Sequence, residues 1–598
     1  MKIAIAQLNP IIGDLSGNAN NILQAARAAY SQGVRLLLTP ELSLCGYPPR
    51  DLLLNPGFVQ SMDSTLQQLA QDLPPNLVVL VGTVTVNHQA AISGGKHLFN
   101  SIAVLEGGKI KEVFHKRLLP NYDVFDENRY FEPGLQANFF CVDDIRIGVT
   151  ICEDLWNDEQ FWGKRSYAVN PIVDLTRLGV DLIVNLSASP YSVGKQQLRE
   201  TMLRHSAVRF GQAIIYANQV GGNDDLIFDG RSFALNRQGE VVCRLSGFAT
   251  DVAVVELDEV QQDLLFSSVA PASASEDEEI WQALVLGVGD YARKCGFNKV
   301  LLGLSGGIDS ALVAAIATAA LGKENVLGVL MPSPYSSEHS ITDALQLAAN
   351  LGIETNTIPI GELMQGYDQT LAELFINTPF GLAEENIQSR IRGNILMAIA
   401  NKFNYLVLST GNKSEMAVGY CTLYGDMNGG LAVIADVPKT RVYSICHWLN
   451  THPSALLMER ETQSLDNCEV KKKDLQIIPE NVLSKAPSAE LKPGQVDQDS
   501  LPPYDILDDI LQRLIHNHQS ATEIVAAGHD PTTVDRVLKM VARAEFKRRQ
   551  AAPGLKITDR AFGTGWRMPI ANKWVSVSTY QSQFYLQFGN RVLSSSEN

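Results

Sequence analysis

The chain has 598 residues, with 49 lysines and arginines against 65 aspartates and glutamates, so its formal net charge is −16. This length exceeds one ordinary domain, and a composition of 45% hydrophobic and 19% charged residues excludes a disordered or fibrous chain. The acidic balance argues against nucleic acid as the main partner, because phosphate binding needs a basic face.

The amino-terminal stretch MKIAIAQLNP does not resemble a signal peptide, since Gln7 and Asn9 interrupt its apolar run. The longest apolar run, 311–321, is far shorter than the roughly 20 residues that span a membrane. Eight cysteines are scattered without a Cys-x-x-Cys pair or the spacing of a zinc site, which favours a reducing compartment. We therefore expect a soluble, cytoplasmic protein with no membrane or nucleic-acid partner.

Short runs rich in Val, Ile and Leu alternate with helical stretches in the first half of the chain. The predicted strands are 2–7, 36–39, 77–86, 102–106, 145–151, 182–186, 213–218 and 241–245. Several are continuous apolar runs, as expected for strands that are buried on both faces. The composition then changes at 267–279, SSVAPASASEDEE, which is rich in Ala, Ser, Pro and acidic residues. We predict a first domain over 1–266 and a linker over 267–279.

The second half, 280–598, begins with a regular alternation of helices and strands. The pattern predicts helices over 279–294, 311–321 and 339–350 and strands over 299–304, 326–331 and 353–358. Such βαβ units indicate a doubly wound parallel sheet. The polar stretch 464–503 is predicted to be a loop, and the tail after Ile570 carries no interpretable motif.

The sharpest local signal is GLSGGIDSA at 303–311, between a predicted strand and a predicted helix. Gly306 and Gly307 allow the backbone to approach an anion, and the helix N-terminus directs N–H groups toward it. The turn therefore predicts a phosphate site. It is not a Walker A loop, because no Gly-Lys pair in the chain is followed by Ser or Thr.

The string GLSGGIDSA resembles the SGGxDS loop of ATP pyrophosphatases, which activate a carboxylate or carbonyl as its adenylate. Further strings resemble NAD synthetases: VLMPSPYSS at 329–337, ENIQSRIRGN at 385–394, STGNKSE at 409–415, YGDMNGG at 424–430 and EFKRRQAAPG at 545–554. The resemblance implies a Rossmann-like ATP-pyrophosphatase domain. It also implies that ATP is bound by Gly303, Leu304, Ser305, Gly306, Gly307, Ile308, Asp309, Ser310 and Thr410. By the same resemblance, Asp309 and Glu415 hold Mg²⁺, and Asn386, Glu415 and Lys547 bind deamido-NAD⁺.

Three segments of the first half place a reactive side chain just after an apolar strand. They are LLLTPELSLCGYPPRDLL with Glu41, VFHKRLLPNYDVFDENRYFEPG with Lys116, and IGVTICEDLW with Cys152. Because strand ends on one edge of a sheet converge, we expect the three side chains to share one pocket. Each residue alone has an ordinary explanation, as a turn acid, a surface lysine or a small core residue.

Together the three segments resemble the Glu-Lys-Cys triad of the nitrilase family, which implies an α-β-β-α sandwich and amide cleavage through a thioester. Acid–base logic makes Cys152 the nucleophile, Glu41 the general base and Lys116 the stabiliser of the oxyanion. A nearby cation is expected to favour the Cys152 thiolate. By resemblance, Tyr122, Ser189 and Lys195 bind glutamine, although the segment between Cys152 and Ser189 is longer than the family pattern.

The combination resembles the glutamine-dependent NAD synthetases, which implies a carbon–nitrogen ligase that takes glutamine, ATP and deamido-NAD⁺, and a homo-oligomer. One alternative is another glutamine-fed adenylating synthetase, for example one that aminates a nucleotide base. A second alternative makes the first half a catalytically silent scaffold. The Asn386 and Lys547 strings discriminate against the first alternative, and removal of the Cys152 thiol tests the second.

Three weaker signals are interpreted as structural. Gly287-x-Gly289-x-x-Ala292 fits a loose dinucleotide fingerprint, but it lies inside a predicted helix and precedes its strand. His516 and His518 suggest a metal site without a further ligand, so we expect surface histidines. The lysines at 471–473 are expected to lie in a solvated loop, with contact to ATP phosphates as the alternative.

Overall fold

The computed structural model describes residues 1–456, 476–492 and 494–574. The chain divides into two compact units, Met1–Glu276 and Asp277–Asn598. The division falls within the predicted linker 267–279, but a helix begins at Glu276, three residues before that linker was expected to end. Among the described residues, no helix has the length and apolar character to cross a membrane.

The strands of the first unit form two sheets and one hairpin. They are β1 (Lys2–Gln7), β2 (Leu36–Leu38), β3 (Val78–Val86), β4 (Leu98–Glu106), β5 (Lys109–His115), β6 (Asn138–Val142), β7 (Ile145–Ile151), β8 (Leu182–Ser187), β9 (Ala213–Asn218), β10 (Val220–Asn223), β11 (Leu226–Asp229), β12 (Phe233–Leu235), β13 (Val241–Arg244), β14 (Asp251–Asp258) and β15 (Asp263–Leu264). The first sheet has the order β15-β14-β1-β2-β3-β4-β5 and the second β13-β12-β9-β8-β7-β6, while β10 pairs with β11.

Helices cover the outer face of each sheet of the first unit. They are α1 (Leu15–Ser31), α2 (Pro56–Asp72), α3 (Ala90–Ser93), α4 (Glu159–Trp162), α5 (Pro171–Arg177) and α6 (Lys195–Phe210). On β1, Ile3 and Ile5 point into the core between the sheets, whereas Ala4 and Ala6 point outward against α1. This alternation follows from the two-residue period of a strand. The predicted α-β-β-α sandwich is thus confirmed.

The second unit is built on a parallel sheet. Its strands are β16 (Val300–Gly303), β17 (Val326–Leu330), β18 (Glu354–Thr357), β19 (Leu406–Ser409) and β20 (Leu431–Ala432), in the order β18-β17-β16-β19-β20. Every adjacent pair is parallel, so the predicted doubly wound parallel sheet is confirmed. The strand order reverses direction between β16 and β19, which is where ligands bind in folds of this class.

The helices of the second unit surround this sheet and extend beyond it. They are α7 (Glu276–Lys294), α8 (Ile308–Leu321), α9 (Glu338–Leu351), α10 (Gly361–Leu371), α11 (Leu382–Phe403), α12 (Lys413–Val418), α13 (Lys439–Thr451), α14 (Glu480–Ser484), α15 (Tyr504–Leu511), α16 (Ala521–Ala526), α17 (Pro531–Arg543) and α18 (Glu545–Arg548). The Gly287-x-Gly289 string lies inside α7, where both glycines are buried, so its interpretation as a helix-packing feature is confirmed.

The stretch 464–503, predicted to be a loop, contains regular structure in its described part. The segment includes α14 and a 3₁₀ turn at Asp497–Asp499. Ile477, Ile478 and Val482 are fully buried there, because this polar stretch carries enough apolar side chains to pack on the second unit. The lysines at 471–473 and the tail from 575 onward lie outside the described residues.

Candidate functional site

The three triad residues each follow a strand of the first unit. Glu41 lies three residues after β2, while Lys116 and Cys152 directly follow β5 and β7. Strands β2 and β5 belong to the first sheet and β7 to the second. The residues therefore converge from two facing sheets, and not from one edge of a single sheet as the sequence suggested.

Glu41 and Lys116 form a fully buried ion pair, with both side chains 0% exposed. The Lys116 Nζ donates to Glu41 Oε1 at 2.7 Å. The Asn100 amide donates to the same oxygen at 2.7 Å, and the backbone N–H of Ala188 donates to Oε2 at 3.0 Å. Three donors therefore hold both oxygens of the carboxylate in place. Glu41 thus has the fixed orientation that a general base needs to accept a proton.

Cys152 lies in a strained turn at the carboxyl end of β7. Its φ is +42°, an unusual value for a residue with a side chain. The residue is 4% exposed. Burial raises the pKa of its thiol well above the ordinary value, the charge of Glu41 raises it further, and Lys116 opposes both. The nearby cation, Lys116, thus favours the thiolate as expected, but burial outweighs it and the net effect favours the thiol in the resting site.

Two buried carboxylates that the sequence analysis did not single out hold the triad in place. Glu127 accepts from Lys116 Nζ at 2.8 Å and from the Tyr47 hydroxyl at 2.9 Å. Burial raises the pKa of Glu127 to about 7, although Lys116 lowers it. Glu127 lies within the string quoted around Lys116, but only the folded chain reveals that contact.

Asp154 links the segment that contains Lys116 to the segment that contains Cys152. One carboxylate oxygen accepts from the backbone N–H groups of Arg117 and Leu118 at 3.1 and 2.8 Å. The other accepts from the N–H of Ile151 at 3.0 Å. Residues next to Lys116 and Cys152 are therefore held by a single side chain.

The predicted glutamine-binding residues lie around the same centre. Ser189 is buried, and its N–H donates to Asn218 Oδ1 at 3.0 Å. The Lys195 Nζ donates to the carbonyl of Pro190 at 2.8 Å. The Tyr122 hydroxyl donates to Glu153 Oε2 at 3.0 Å. Glu153 directly follows Cys152 and is a further residue that the sequence analysis did not identify.

In the second unit, the predicted phosphate turn connects β16 to α8. Gly306 has a φ of +75°, and a Cβ placed on it would lie 2.2 Å from the Ser340 carbonyl oxygen, so only glycine fits. The Ser310 hydroxyl donates to the Gly307 carbonyl at 3.0 Å, and the Gly307 N–H donates to Ser305 Oγ at 3.2 Å. These bonds hold the turn with the N-terminus of α8 facing a cavity of about 310 Å³.

Asp309 and Glu415 lie in this cavity on either side of a buried cation, Lys439. Lys439 Nζ contacts Asp309 Oδ2 closely and lies 3.4 Å from Glu415 Oε1. Burial raises the pKa of Glu415 to about 8, although Lys439 lowers it. Burial lowers the pKa of Lys439, but Asp309 and Glu415 raise it to a net value well above that of an ordinary lysine.

The donor set at this position fits a hard cation. The two carboxylates already share one positive charge, and Mg²⁺ is usually bound by one or two carboxylates with phosphate oxygens and water. Across the described ranges, no cluster of three or more His, Cys, Asp and Glu side chains has the arrangement of a metal site. A magnesium ion at this position would therefore need further oxygen ligands beyond Asp309 and Glu415, from a bound nucleotide or from water.

The remaining predicted ligands of the second unit fall into two groups. Thr410, directly after β19, lines the same cavity as Asp309. Asn386 Oδ1 accepts from the Thr422 hydroxyl at 2.8 Å, and Lys547 Nζ donates to the carbonyls of Gly419 and Cys421 at 2.8 and 2.7 Å. Asn386 and Lys547 therefore both contact the segment that follows α12.

The prediction that His516 and His518 are surface histidines fails for His516. The His516 side chain is 5% exposed, and its ring nitrogens contact Asp559 and, at 2.9 Å, Lys413 Nζ. The expectation of a surface histidine is wrong for His516, because polar partners 43 and 103 residues away enclose it.

Comparison with known proteins covers both units. The carbon-nitrogen hydrolase family matches residues 2–263, and the NAD synthase family matches residues 280–551. The glutamine-dependent NAD(+) synthetase of Synechocystis sp. is 61% identical over 95% of this chain and 98% of that protein. The one of Thermotoga maritima is 44% identical over 96% and 99%.

A solved structure extends the similarity to three dimensions. The glutamine-dependent NAD+ synthetase from Acinetobacter baumannii, in complex with adenosine diphosphate, is 40% identical and has a TM-score of 0.72 over 96% of this chain and 99% of that chain. Relatives that match over nearly their full length thus share the order of the two halves, and the solved structure shares the fold. With a nitrilase-type half followed by an ATP-dependent half, the chain belongs to the glutamine-dependent NAD(+) synthetase family.

Proposed function

We propose that the first unit hydrolyses glutamine to glutamate and ammonia, and that the second uses the ammonia to amidate deamido-NAD⁺ at the expense of ATP. The nicotinate carboxylate attacks the α-phosphorus of ATP, which gives an adenylate and releases diphosphate. Ammonia then displaces AMP and forms the amide of NAD⁺. The observation that carries the proposal is the presence of two separate centres: a buried Glu41–Lys116 pair beside Cys152, and a phosphate turn beside Asp309.

Hydrolysis begins with the thiol form of Cys152. Glu41 accepts the thiol proton as sulfur attacks the amide carbon, and Lys116 stabilises the negative oxygen of the tetrahedral intermediate. Glu41 then gives the proton to the departing nitrogen, so ammonia leaves and a thioester remains. Water, deprotonated by Glu41, attacks the thioester, and glutamate and the thiol are regenerated.

Binding of glutamine requires groups for both charges of a zwitterion. Lys195 provides a cation for the α-carboxylate, and Ser189 and Tyr122 provide hydroxyl groups. Glu153 supplies the complementary anion for the α-ammonium group. Its pKa is raised by burial, an effect that Lys116, the hydroxyls of Tyr167 and Tyr122, and Lys195 oppose.

In the second unit, the backbone N–H groups of the turn from Ser305 to Ser310 bind the phosphates of ATP, together with Gly303, Leu304 and Thr410. The phosphates of bound ATP compete with Asp309 for the Lys439 ammonium group, which then donates hydrogen bonds to them. Asp309 and Glu415 would hold Mg²⁺, which when bound would supply positive charge to offset that of the diphosphate. Asn386, Glu415 and Lys547 bind deamido-NAD⁺, with the first and last acting through the segment after α12.

The test is to supply the purified protein with ATP, Mg²⁺ and deamido-NAD⁺, together with either glutamine or ammonium, and to detect NAD⁺ by mass spectrometry. We expect NAD⁺, AMP and diphosphate with both nitrogen donors, and glutamate only with glutamine. Failure to form NAD⁺ from either donor, with amination of a nucleotide base instead, would favour the alternative synthetase. A reduced nucleophilic thiol favours a cytoplasmic location for this activity.

We also infer a homo-oligomer from apolar side chains that are exposed between α10 and the first residue of α11. Leu374, Ile376, Phe380 and Leu382 are all more than half exposed within nine residues. A group of this kind marks an interaction surface more often than free surface. We expect light scattering to give a multiple of the 65.4 kDa chain mass.

A Leu374→Asp variant tests whether this segment forms the interface. We expect its mass to fall, and Leu135→Asp, at another exposed leucine, to leave the mass unchanged. A wild-type protein that remains a monomer at micromolar concentration contradicts the inference.

A further inference from the structure

The segment between the nucleophile and α5 is organised by one buried amide. Asn157 is 4% exposed. Its Nδ2 donates to the carbonyls of Tyr167 and Val169 at 2.9 and 2.6 Å, and its Oδ1 accepts from the N–H groups of Ser166 and Tyr167 at 3.0 and 3.1 Å. Both backbone groups of Tyr167 are thus fixed by the same side chain.

The side chain of Tyr167 reaches the catalytic centre. Its hydroxyl donates to Glu153 Oε1 at 2.9 Å, while the hydroxyl of Tyr122 donates to Oε2 at 3.0 Å. Glu153 is 5% exposed and directly follows Cys152. Each carboxylate oxygen therefore has a phenol donor, one from the segment around Lys116 and one from the long segment after Cys152.

We propose that Tyr167 is a positioning residue that sets the selectivity of the first unit for substrates with an α-ammonium group. The inference rests on the proposed function, in which Glu153 binds the α-ammonium of glutamine. A buried carboxylate binds a cation well only when it stays ionised and correctly oriented. The Tyr167 hydroxyl meets both conditions, because its hydrogen bond stabilises the ionised form of Glu153 and fixes the orientation of its carboxylate. The segment 157–170 is thereby part of the glutamine site.

A Tyr167→Phe variant tests this directly, because it removes one hydroxyl and keeps the ring. Ammonia release is measured with glutamine and with 4-carbamoylbutanoate, which has the same amide and carboxylate but lacks the α-ammonium. We expect the KM for glutamine to rise about tenfold, because the loss of one hydrogen bond to a charged group weakens binding by about that factor. The kcat for glutamine, the KM for 4-carbamoylbutanoate and ammonium-driven NAD⁺ formation are expected to stay near wild type.

Two further variants separate positioning from general structure. Tyr130→Phe removes a phenol that donates to Asp51 at 2.6 Å, outside the site, and is expected to change neither KM. Asn157→Ala releases the backbone of Tyr167 and is expected to reproduce the selective rise in KM for glutamine. Equal losses with both substrates, or an unchanged ratio of the two KM values in Tyr167→Phe, overturn the inference.

The proposed function is tested independently by Cys152→Ala. If that variant is inactive with glutamine and Tyr167→Phe behaves as wild type, only the inference about Tyr167 fails. If Cys152→Ala still hydrolyses glutamine, the site itself is wrongly assigned.

Discussion

A Cys152→Ala variant is expected to lose glutamine-driven NAD⁺ formation by at least about a thousandfold, while ammonium-driven formation stays near the wild-type rate. The loss follows because no thioester forms without the sulfur, and neither Glu41 nor Lys116 replaces a nucleophile. The ammonium-driven reaction persists because the phosphate turn and Asp309 belong to the second unit, which has its own sheet and core.

Both reactions are measured on one preparation, with NAD⁺ quantified for each nitrogen donor at saturating ATP and deamido-NAD⁺. Cys141→Ala is the matched control, since Cys141 lies on β6 of the same sheet as β7 but is exposed. We expect it to use glutamine normally. Full glutamine-driven synthesis by Cys152→Ala contradicts the triad and favours the scaffold hypothesis for the first unit.

The residues that the sequence identified most directly are those whose position depends on a strand end. Glu41, Lys116 and Cys152 each follow a strand, and Asp309 lies in a strand-to-turn motif, but their roles were predicted only because the flanking strings resemble known families. Glu127, Glu153 and Lys439 were missed because their roles depend on contacts across the fold. Lys439, for example, meets Asp309 from 130 residues away.

Two of the strands that the sequence analysis missed, β5 and β14, each have a largely solvated face. Strand β5 forms one edge of the first sheet, and β14 lies next to the strand at the other edge. Most side chains of both strands are exposed or half-buried. The sequence of β5, KIKEVFH, consequently lacks a continuous apolar run, whereas β14, DVAVVELD, contains one of four residues and was missed all the same. Strands β10, β11, β12 and β19 were missed for a different reason: they are buried throughout but only three or four residues long, too short for a clear periodic signal.

His516 illustrates the opposite error. The lack of a further metal ligand beside His516 in the sequence suggested a surface position, but Lys413 and Asp559 enclose the ring from other segments. The burial of a titratable side chain depends on tertiary partners that its neighbours in the sequence do not show.

An Asp309→Asn variant is expected to lose NAD⁺ formation with both nitrogen donors, by at least about a hundredfold. The substitution keeps the shape of the side chain but removes one of the two carboxylates that share Lys439. Affinity for Mg²⁺ is expected to fall, because under the proposed assignment the site would supply one anionic ligand in place of two. Lys439, which would keep its ion pair with Glu415, is expected to compete more strongly with the metal for that carboxylate.

The measurement is NAD⁺ formation across a range of Mg²⁺ concentrations, with glutamate release from glutamine as the readout of the first unit. We expect glutamate release to remain measurable in Asp309→Asn, since Cys152 lies in the other compact unit. Glu324→Gln is the matched control, because it makes the same change at an exposed position just beyond the far end of α8. Wild-type synthesis by Asp309→Asn at low Mg²⁺ would show that this carboxylate does not hold the metal. A loss confined to glutamine would place the defect in the first unit, whereas equal loss with ammonium places it at the adenylation step.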